Sequence, residues 1–259
     1  MRRFVILFGL PVLMAVLPVY GGLNDGLVSH WTFDETSGTI AHDSAGTNDG
    51  ALNGGPQWTA GKIGGALYFD GVNDYVNCGN DSSLDIRDNI TISLWYNSTA
   101  WTTKTGGVYV NGLISKRDLY IPGQTGFDWE IYYNNYLNGI CLWDSAIPTF
   151  NIMHIAPATN TWQHLVVTKN GTTASLYLDG ILRATDATSA LWDTGDSVRI
   201  GICAIDWPPD RGFFFGAIDD VRIYNRVLST NEVAQLYSIP EPATLLLLGL
   251  GGVLLRRRQ

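Results

Sequence analysis

The rhythm of polar and apolar positions changes twice along the chain. Residues 4–19 are almost uniformly apolar behind Arg2 and Arg3, and residues 243–255 are again largely apolar before three Arg and Gln259. Between these ends, short runs rich in β-formers are punctuated by Gly, Asn and Asp. The strand signal is densest over 162–186. Residues 162–169 read Trp-Gln-His-Leu-Val-Val-Thr-Lys, residues 173–178 alternate, and residues 181–185 return. Asn170-Gly171 and Asp179-Gly180 separate these runs, and both dipeptides tolerate the positive φ of tight hairpins. The pattern predicts a three-strand antiparallel meander. Further strands are predicted over 28–33, 66–69, 75–78, 90–96, 127–133, 140–143, 197–202 and 213–224. Only residues 229–237 read as helix. There Ser229 or Thr230 can cap, Glu232 falls in the first turn, and Val233, Leu236 and Tyr237 share a face. The central stretch has no linker, charge block or repeat, and its length suits one all-β sandwich.

Charge narrows the partners. The chain has 16 Lys+Arg against 24 Asp+Glu, net −8, but Arg2, Arg3, Arg256, Arg257 and Arg258 lie at the ends. Residues 22–239 therefore keep 11 cations against 23 acids, a body charge of −12. Such a surface repels phosphate backbones, which excludes nucleic acid as a partner. Twenty of the acids are Asp, a residue of turns and a good calcium ligand.

The two ends read as addresses. Two Arg, an apolar run and Val19-Tyr20-Gly21 have the layout of a secretory signal peptide over 1–22, with removal after Gly21 or Gly22. The thirteen residues 243–255 fall short of the ~20 a spanning helix needs. A terminal Arg cluster after an apolar run is nevertheless what holds a tail on the cytoplasmic side. Pro240-Glu241-Pro242, the apolar segment and the Arg cluster together resemble the PEP-CTERM sorting signal over 240–259. That resemblance implies export, processing by an exosortase-type enzyme, and membrane contact through the C-terminal segment. The protein is then expected in the cell envelope or outside the cell. Cys78, Cys141 and Cys203 allow one disulfide, Cys141 with Cys203, or three buried thiols. No Cys-x-x-Cys spacing suggests zinc.

The body, residues 23–239, carries a second resemblance. Residues 27–35 read Leu-Val-Ser-His-Trp-Thr-Phe-Asp-Glu, followed by Asp43-Ser44 and a Gly/Asn-rich loop. Residues 65–76 read Gly-Ala-Leu-Tyr-Phe-Asp-Gly-Val-Asn-Asp-Tyr-Val, and residues 90–95 read Ile-Thr-Ile-Ser-Leu-Trp. Residues 162–166, 176–180 and Gly-Ala-Ile-Asp-Asp-Val-Arg-Ile-Tyr-Asn over 216–225 complete the series. In this order they resemble LamG-like jellyroll domains of the concanavalin A-like lectin/glucanase superfamily, which includes pentraxin-type modules. The resemblance implies an all-β, two-sheet antiparallel jellyroll sandwich, with one short C-terminal helix before the hydrophobic tail. It also places Trp31, Trp95 and Trp162 in the core.

Because the superfamily contains glucanases, catalysis is weighed first. Retaining glycosidases need two carboxylates ~5–5.5 Å apart, and the glucanase pattern Glu-x-Asp-x-x-Glu is absent. Asp128 and Glu130 alternate on a predicted strand and form the one credible pair, read as a metal ligand plus a solvated charge. His42-Asp43-Ser44 are turn residues, His164 is a packed histidine, and nothing singles out His154 for lyase chemistry. No catalytic residue is assigned. Alignment by order with pentraxin-type modules implies calcium at Asp128 and Asp206, with Asp210 as a third ligand. Ala204-Ile205 stand where those modules carry acidic and amide residues. A second candidate metal set joins Asp34, Asp43, Asp219 and Asp220, the alternative being Asp219 or Asp220 bonded to backbone amides. Strand parity puts Asp219 on the face of Val221 and Ile223. Sugar binding needs exposed aromatic faces beside polar groups. The candidates are Trp129, Tyr132, Trp143 and Trp207, within the loop-rich regions 97–160 and 203–215, with Trp101 in the first region and Trp192 between the two as further aromatic residues. The expected function is a non-catalytic module that binds a glycan or extracellular polysaccharide with calcium. Polysaccharide cleavage and protein-facing adhesion are the rivals.

Overall fold

A computed structural model describes residues 22–101, 110–117, 129–135, 137–144, 157–188, 195–203 and 212–239. Fifteen strands among them build two antiparallel sheets that pack as a jellyroll sandwich. The first sheet runs β13 (Ile181–Ala187), β12 (Thr173–Leu178), β11 (Gln163–Asn170), β7 (Asn89–Ser98), β15 (Phe215–Tyr224), β5 (Gly65–Asp70) and β4 (Gln57–Ala60). β1 (Leu27–Trp31) also pairs with β15. The second runs β10 (Gly139–Asp144), β9 (Trp129–Asn134), β8 (Val110–Lys116), β14 (Val198–Ile200), β6 (Tyr75–Asn77), β3 (Gly50–Asn53) and β2 (Ile40–Ala41).

Alternation explains the core. Ile92, Leu94 and Tyr96 of β7, Leu165 and Val167 of β11, and Ile114, Ile131 and Ile200 of the facing sheet pack in one buried cluster. The strand residues between them point outward, yet β7 is buried on both faces. A second cluster covers its far side: Leu23, Leu228 and helix α1 (Thr230–Tyr237), through Val233 and Leu236, pack on Val166, Tyr177 and Tyr224. The meander forms as expected. Asp179 and Gly180 both take positive φ, 54° and 73°, while the first loop slips to Gly171 and Thr172, with Asn170 paired to Thr173.

Three expectations need correction. Trp162 is only half-buried and lies outside the buried clusters of the described residues. Strands β2, β3, β4 and β8 lie where loops were expected. Strand parity also fails in β15, where the register breaks between Asp219, opposite Trp95, and Arg222, opposite Ser93. Two residues thus face Leu94, a β-bulge with Asp220 at φ 50°. The extra residue re-phases the strand. Ile218, Val221 and Ile223 all reach the core, whereas Asp219 turns with Trp95 to the side of α1, where Trp95 stacks on Tyr237 at 5.6 Å.

Candidate functional site

Strand geometry relocates the expected aromatic rim. Asp128, Asp206, Asp210 and Trp207 fall outside the described residues, as does Trp192. Trp129 is in the main core and Tyr132 is buried in β9, so neither ring is an exposed platform. The reason is alternation in a strand covered on both faces: Trp129 and Ile131 point into the sandwich, and Tyr132 lies with Cys141 and Cys203. All three cysteines are free thiols. Tyr132 and Gly112 stand between Cys141 and Cys203 across three strands, since Cys141 pairs with Tyr132 and Tyr132 with Gly112. A Cβ on Gly112 would lie 1.9 Å from the Cys203 nitrogen, so glycine permits this crossing. Burial pushes the Cys141 thiol up to about 12. Trp143 belongs to β10, with its backbone opposite Glu130. Trp101 packs at the sandwich end against Tyr133, ring centroids 4.6 Å apart, and Phe214, 5.9 Å.

Glu130 is not a solvated charge. It is buried, with Oε2 3.2 Å from Nη1 of an equally buried Arg117. Both members of this ion pair are withdrawn from solvent. His164 is likewise a packed residue. Burial lowers its ring to about 3, which keeps it neutral, and Nε2 lies 2.9 Å from Ser93 Oγ.

The second acidic set is separated into individual sites. Asp43 Oδ1 accepts from the His30, Ala45 and Gly46 amides at 2.9, 3.0 and 2.9 Å, and Oδ2 from Asn48 at 3.1 Å. Burial alone would raise its carboxyl; the amides outweigh it and hold it below the usual value. Asp220 pairs with His30 at 2.6 Å and Arg222 at 3.0 Å. Burial opposes its charge, but these partners win and bring it to about 2. Asp219 Oδ2 accepts the Lys62 and Ile63 amides, each at 2.8 Å, while Oδ1 is buried without a partner. Burial dominates there and lifts the carboxyl to about 8. Asp34 accepts the Gly65 amide at 2.7 Å. Among the described residues no three His, Cys, Asp or Glu side chains are arranged to hold a metal. Asp34, Asp43 and Asp219 thus accept backbone amides, whereas Asp220 pairs with His30 and Arg222.

An open groove on the described surface lies elsewhere. A groove of about 470 Å³ is lined by Asp34, Glu35, Trp58, Thr59 and Gly64, among others. Trp58 sits on β4, the edge strand, opposite Leu67 of β5. Its ring rests partly on the core, and Nε1 donates to the Gly38 carbonyl at 3.1 Å, so the remaining exposed face has a fixed orientation. Gly64 and Gly65, which also line the groove, belong to the Gly61–Gly65 turn, where Asp219 accepts the Lys62 and Ile63 amides and Asp34 accepts that of Gly65. Gly64 takes φ 77°, and a Cβ there would strike Asp34 Oδ1 at 2.1 Å. The sequence reading missed Trp58 because the Gly/Asn-rich segment was read as loop. Its one signal was an aromatic residue flanked by polar Gln57 and Thr59, the alternation of a half-buried strand.

Residues 70–234 match the family described as the concanavalin A-like lectin/glucanases superfamily, and residues 238–259 match the PEP-CTERM protein-sorting motif. The chain belongs to that superfamily, and its sorting motif is that of a protein exported and sorted to the cell envelope. Comparison with curated proteins finds no match. Among solved structures, domain 4 of AbnA, a GH43 extracellular arabinanase from Geobacillus stearothermophilus in complex with arabinotriose, is 21% identical with TM-score 0.62. The likeness covers 82% of this chain and 98% of that one. Trypanosoma rangeli sialidase shares 16% identity at TM-score 0.60, over 82% of this chain and 33% of its own. The binding domain of Paraclostridial Mosquitocidal Protein 1 shares 17% at 0.57, over 83% and 52%. The chain thus spans about a third of the sialidase and half of the mosquitocidal binding-domain chain. At these identities the likeness establishes the fold. No helix among the described residues is long and apolar enough to cross a membrane.

Proposed function

We propose that this protein is an exported, non-catalytic carbohydrate-binding module, and that the Trp58 groove holds the glycan. The observation that carries the reading is the half-exposed Trp58 ring, fixed by its bond to Gly38 and flanked by two carboxylates and threonine hydroxyls. An apolar face beside a few oriented polar groups is the arrangement a pyranose or furanose requires. The arabinotriose complex of the AbnA domain supports a sugar ligand for this fold. The buried Arg117–Glu130 pair supports a binding role over a hydrolytic one. In this proposal the C-terminal segment is processed by an exosortase-type enzyme and brings the module to the membrane, so the partner is an envelope or extracellular polysaccharide. Calcium at Asp128, Asp206 and Asp210 is a separate proposed site.

Calorimetric titration of the full-length protein with arabino-, xylo- and gluco-oligosaccharides tests the reading. Trp58→Ala should weaken binding about tenfold or more, the loss of one buried aromatic anchor. EDTA should leave binding unchanged, because in this proposal the sugar is held by the Trp58 face and the lining polar groups without a metal. Undiminished affinity of W58A would overturn the assignment. Polysaccharide hydrolysis that disappears in Glu130→Gln would overturn the non-catalytic reading.

A further inference from the structure

The groove has charge of one sign. Asp34 and Glu35 line it, and none of its other lining residues is Lys, Arg or His. Each carboxylate uses one oxygen on the backbone: Asp34 Oδ1 accepts from Gly65 and Glu35 Oε1 from His42, both at 2.7 Å. Glu35 Oε2 is shielded from water and has no hydrogen-bond partner, while Asp34 is solvent-exposed. Lys62, in the adjoining turn, is not among the lining residues, and its Nζ lies 5.4 Å over the Trp95 ring.

These features discriminate between classes of glycan. The solvent-exposed carboxylate of Asp34 is the acceptor a ligand donor can reach, and the shielded Glu35 carboxylate adds negative charge beside it. A cationic donor forms a charge-assisted bond of roughly twice the strength of a neutral one. An ammonium at this position also lies beside the Trp58 face, where the ring quadrupole attracts it. A uronate or sulfate would meet two like charges with no lining cation to offset them. The body charge of −12 extends that repulsion beyond contact range.

We propose that the groove takes sugar chains bearing free amino groups, of the glucosamine type, and rejects uronate-bearing and sulfated chains. This rests on the glycan-binding reading above and narrows its ligand. The step is reversible binding, with the ammonium set against Asp34 in the field of both carboxylates and the sugar ring on Trp58.

The test titrates full-length protein at mildly acid pH with three hexamers: glucosamine, N-acetylglucosamine and galacturonate. The glucosamine hexamer should bind about tenfold more tightly than its acetylated counterpart, and the galacturonate hexamer most weakly. Raising salt from about 50 to about 500 mM should largely erase the preference by screening. The double variant Asp34→Asn/Glu35→Gln should also erase it, since both amides keep the oxygen that accepts the backbone N–H. The salt series uses the unaltered protein, so it stands whether or not the variant folds. Equal affinity for the first two hexamers, a preference insensitive to salt, or a preference intact in a folded double variant overturns the amino-sugar assignment alone. Binding of none of the hexamers, or undiminished binding in W58A, overturns the glycan reading itself.

Discussion

Asp219 and Asp220 are adjacent, both buried, and opposite in proton affinity. Asp220 is held to about 2 by His30 and Arg222 against the cost of burial, whereas Asp219, with two amide donors and one orphaned oxygen, rises to about 8. The folded chain therefore binds a proton at Asp219 between about pH 4 and pH 8 that the unfolded chain releases. Stability must fall as pH rises through that window and level off above it. Asp219→Asn, which cannot ionise, should remove this contribution. The variant's thermal midpoint relative to the wild type should climb steadily from pH 5 to pH 8, and a constant difference would show that Asp219 does not titrate there. Residue reading foresaw one aspect of this pair and missed another. That carboxylates here need a metal, a cation or several amide donors follows from burial physics. Which face each occupies does not, because one inserted residue at a bulge inverts parity and no residue type in Ile-Asp-Asp-Val-Arg announces it.

At the scale of elements, legibility followed hydrophobic content. Strands such as β7 and β11 have enough β-branched and aromatic residues to be read directly, and their observed bounds differ from expectation by a few residues at most. Strands β3 and β4 are four residues each within a Gly- and Asn-rich stretch, and β8 carries Gly112 at a backbone crossing. Their stability comes from pairing and close approach, terms a one-dimensional pattern does not contain. Missing β4 meant missing the groove, since Trp58 is presented by that edge strand. Helix α1 was legible for the opposite reason, its signals being local. Ser229 caps it and Glu232 closes a capping box, with the Ser229 amide donating to Glu232 Oε2 at 2.8 Å. Ser229→Ala should cost about 1 kcal/mol in denaturant unfolding, lowering the midpoint with an unchanged slope. A changed slope would mean that α1 detaches from the sheet before the sandwich unfolds.

For the whole molecule, one side chain ties the two ends of the domain together. Arg226 donates to the Asp25 carbonyl at 2.6 Å, the Gly22 carbonyl at 2.7 Å and Glu232 Oε1 at 2.6 Å. It thereby joins the first described residues to α1 on the outer face of the first sheet, where Leu23 and Leu236 share a cluster. The sequence suggests an export signal before this domain and carries a sorting motif after it, so Arg226 lies between the two regions that processing would act on. Glu232 reports on the tie. Its carboxyl is brought to about 2, chiefly by the Arg226 hydrogen bond, against a smaller opposing effect of burial. A depressed carboxylate contributes stability that is complete above its unfolded value and fades as pH falls toward the folded one. The partial exposure of both side chains makes that contribution modest and salt-sensitive. Arg226→Met keeps much of the apolar stem while removing all three donors. It should lower the thermal midpoint at pH 7, and the gap to the wild type should narrow as pH drops from about 5 toward 2. Amide exchange should quicken in both 22–27 and 230–237, because one donor group serves both. Faster exchange in the helix alone would show that the N-terminal segment is held by Leu23 and its apolar neighbours rather than by Arg226.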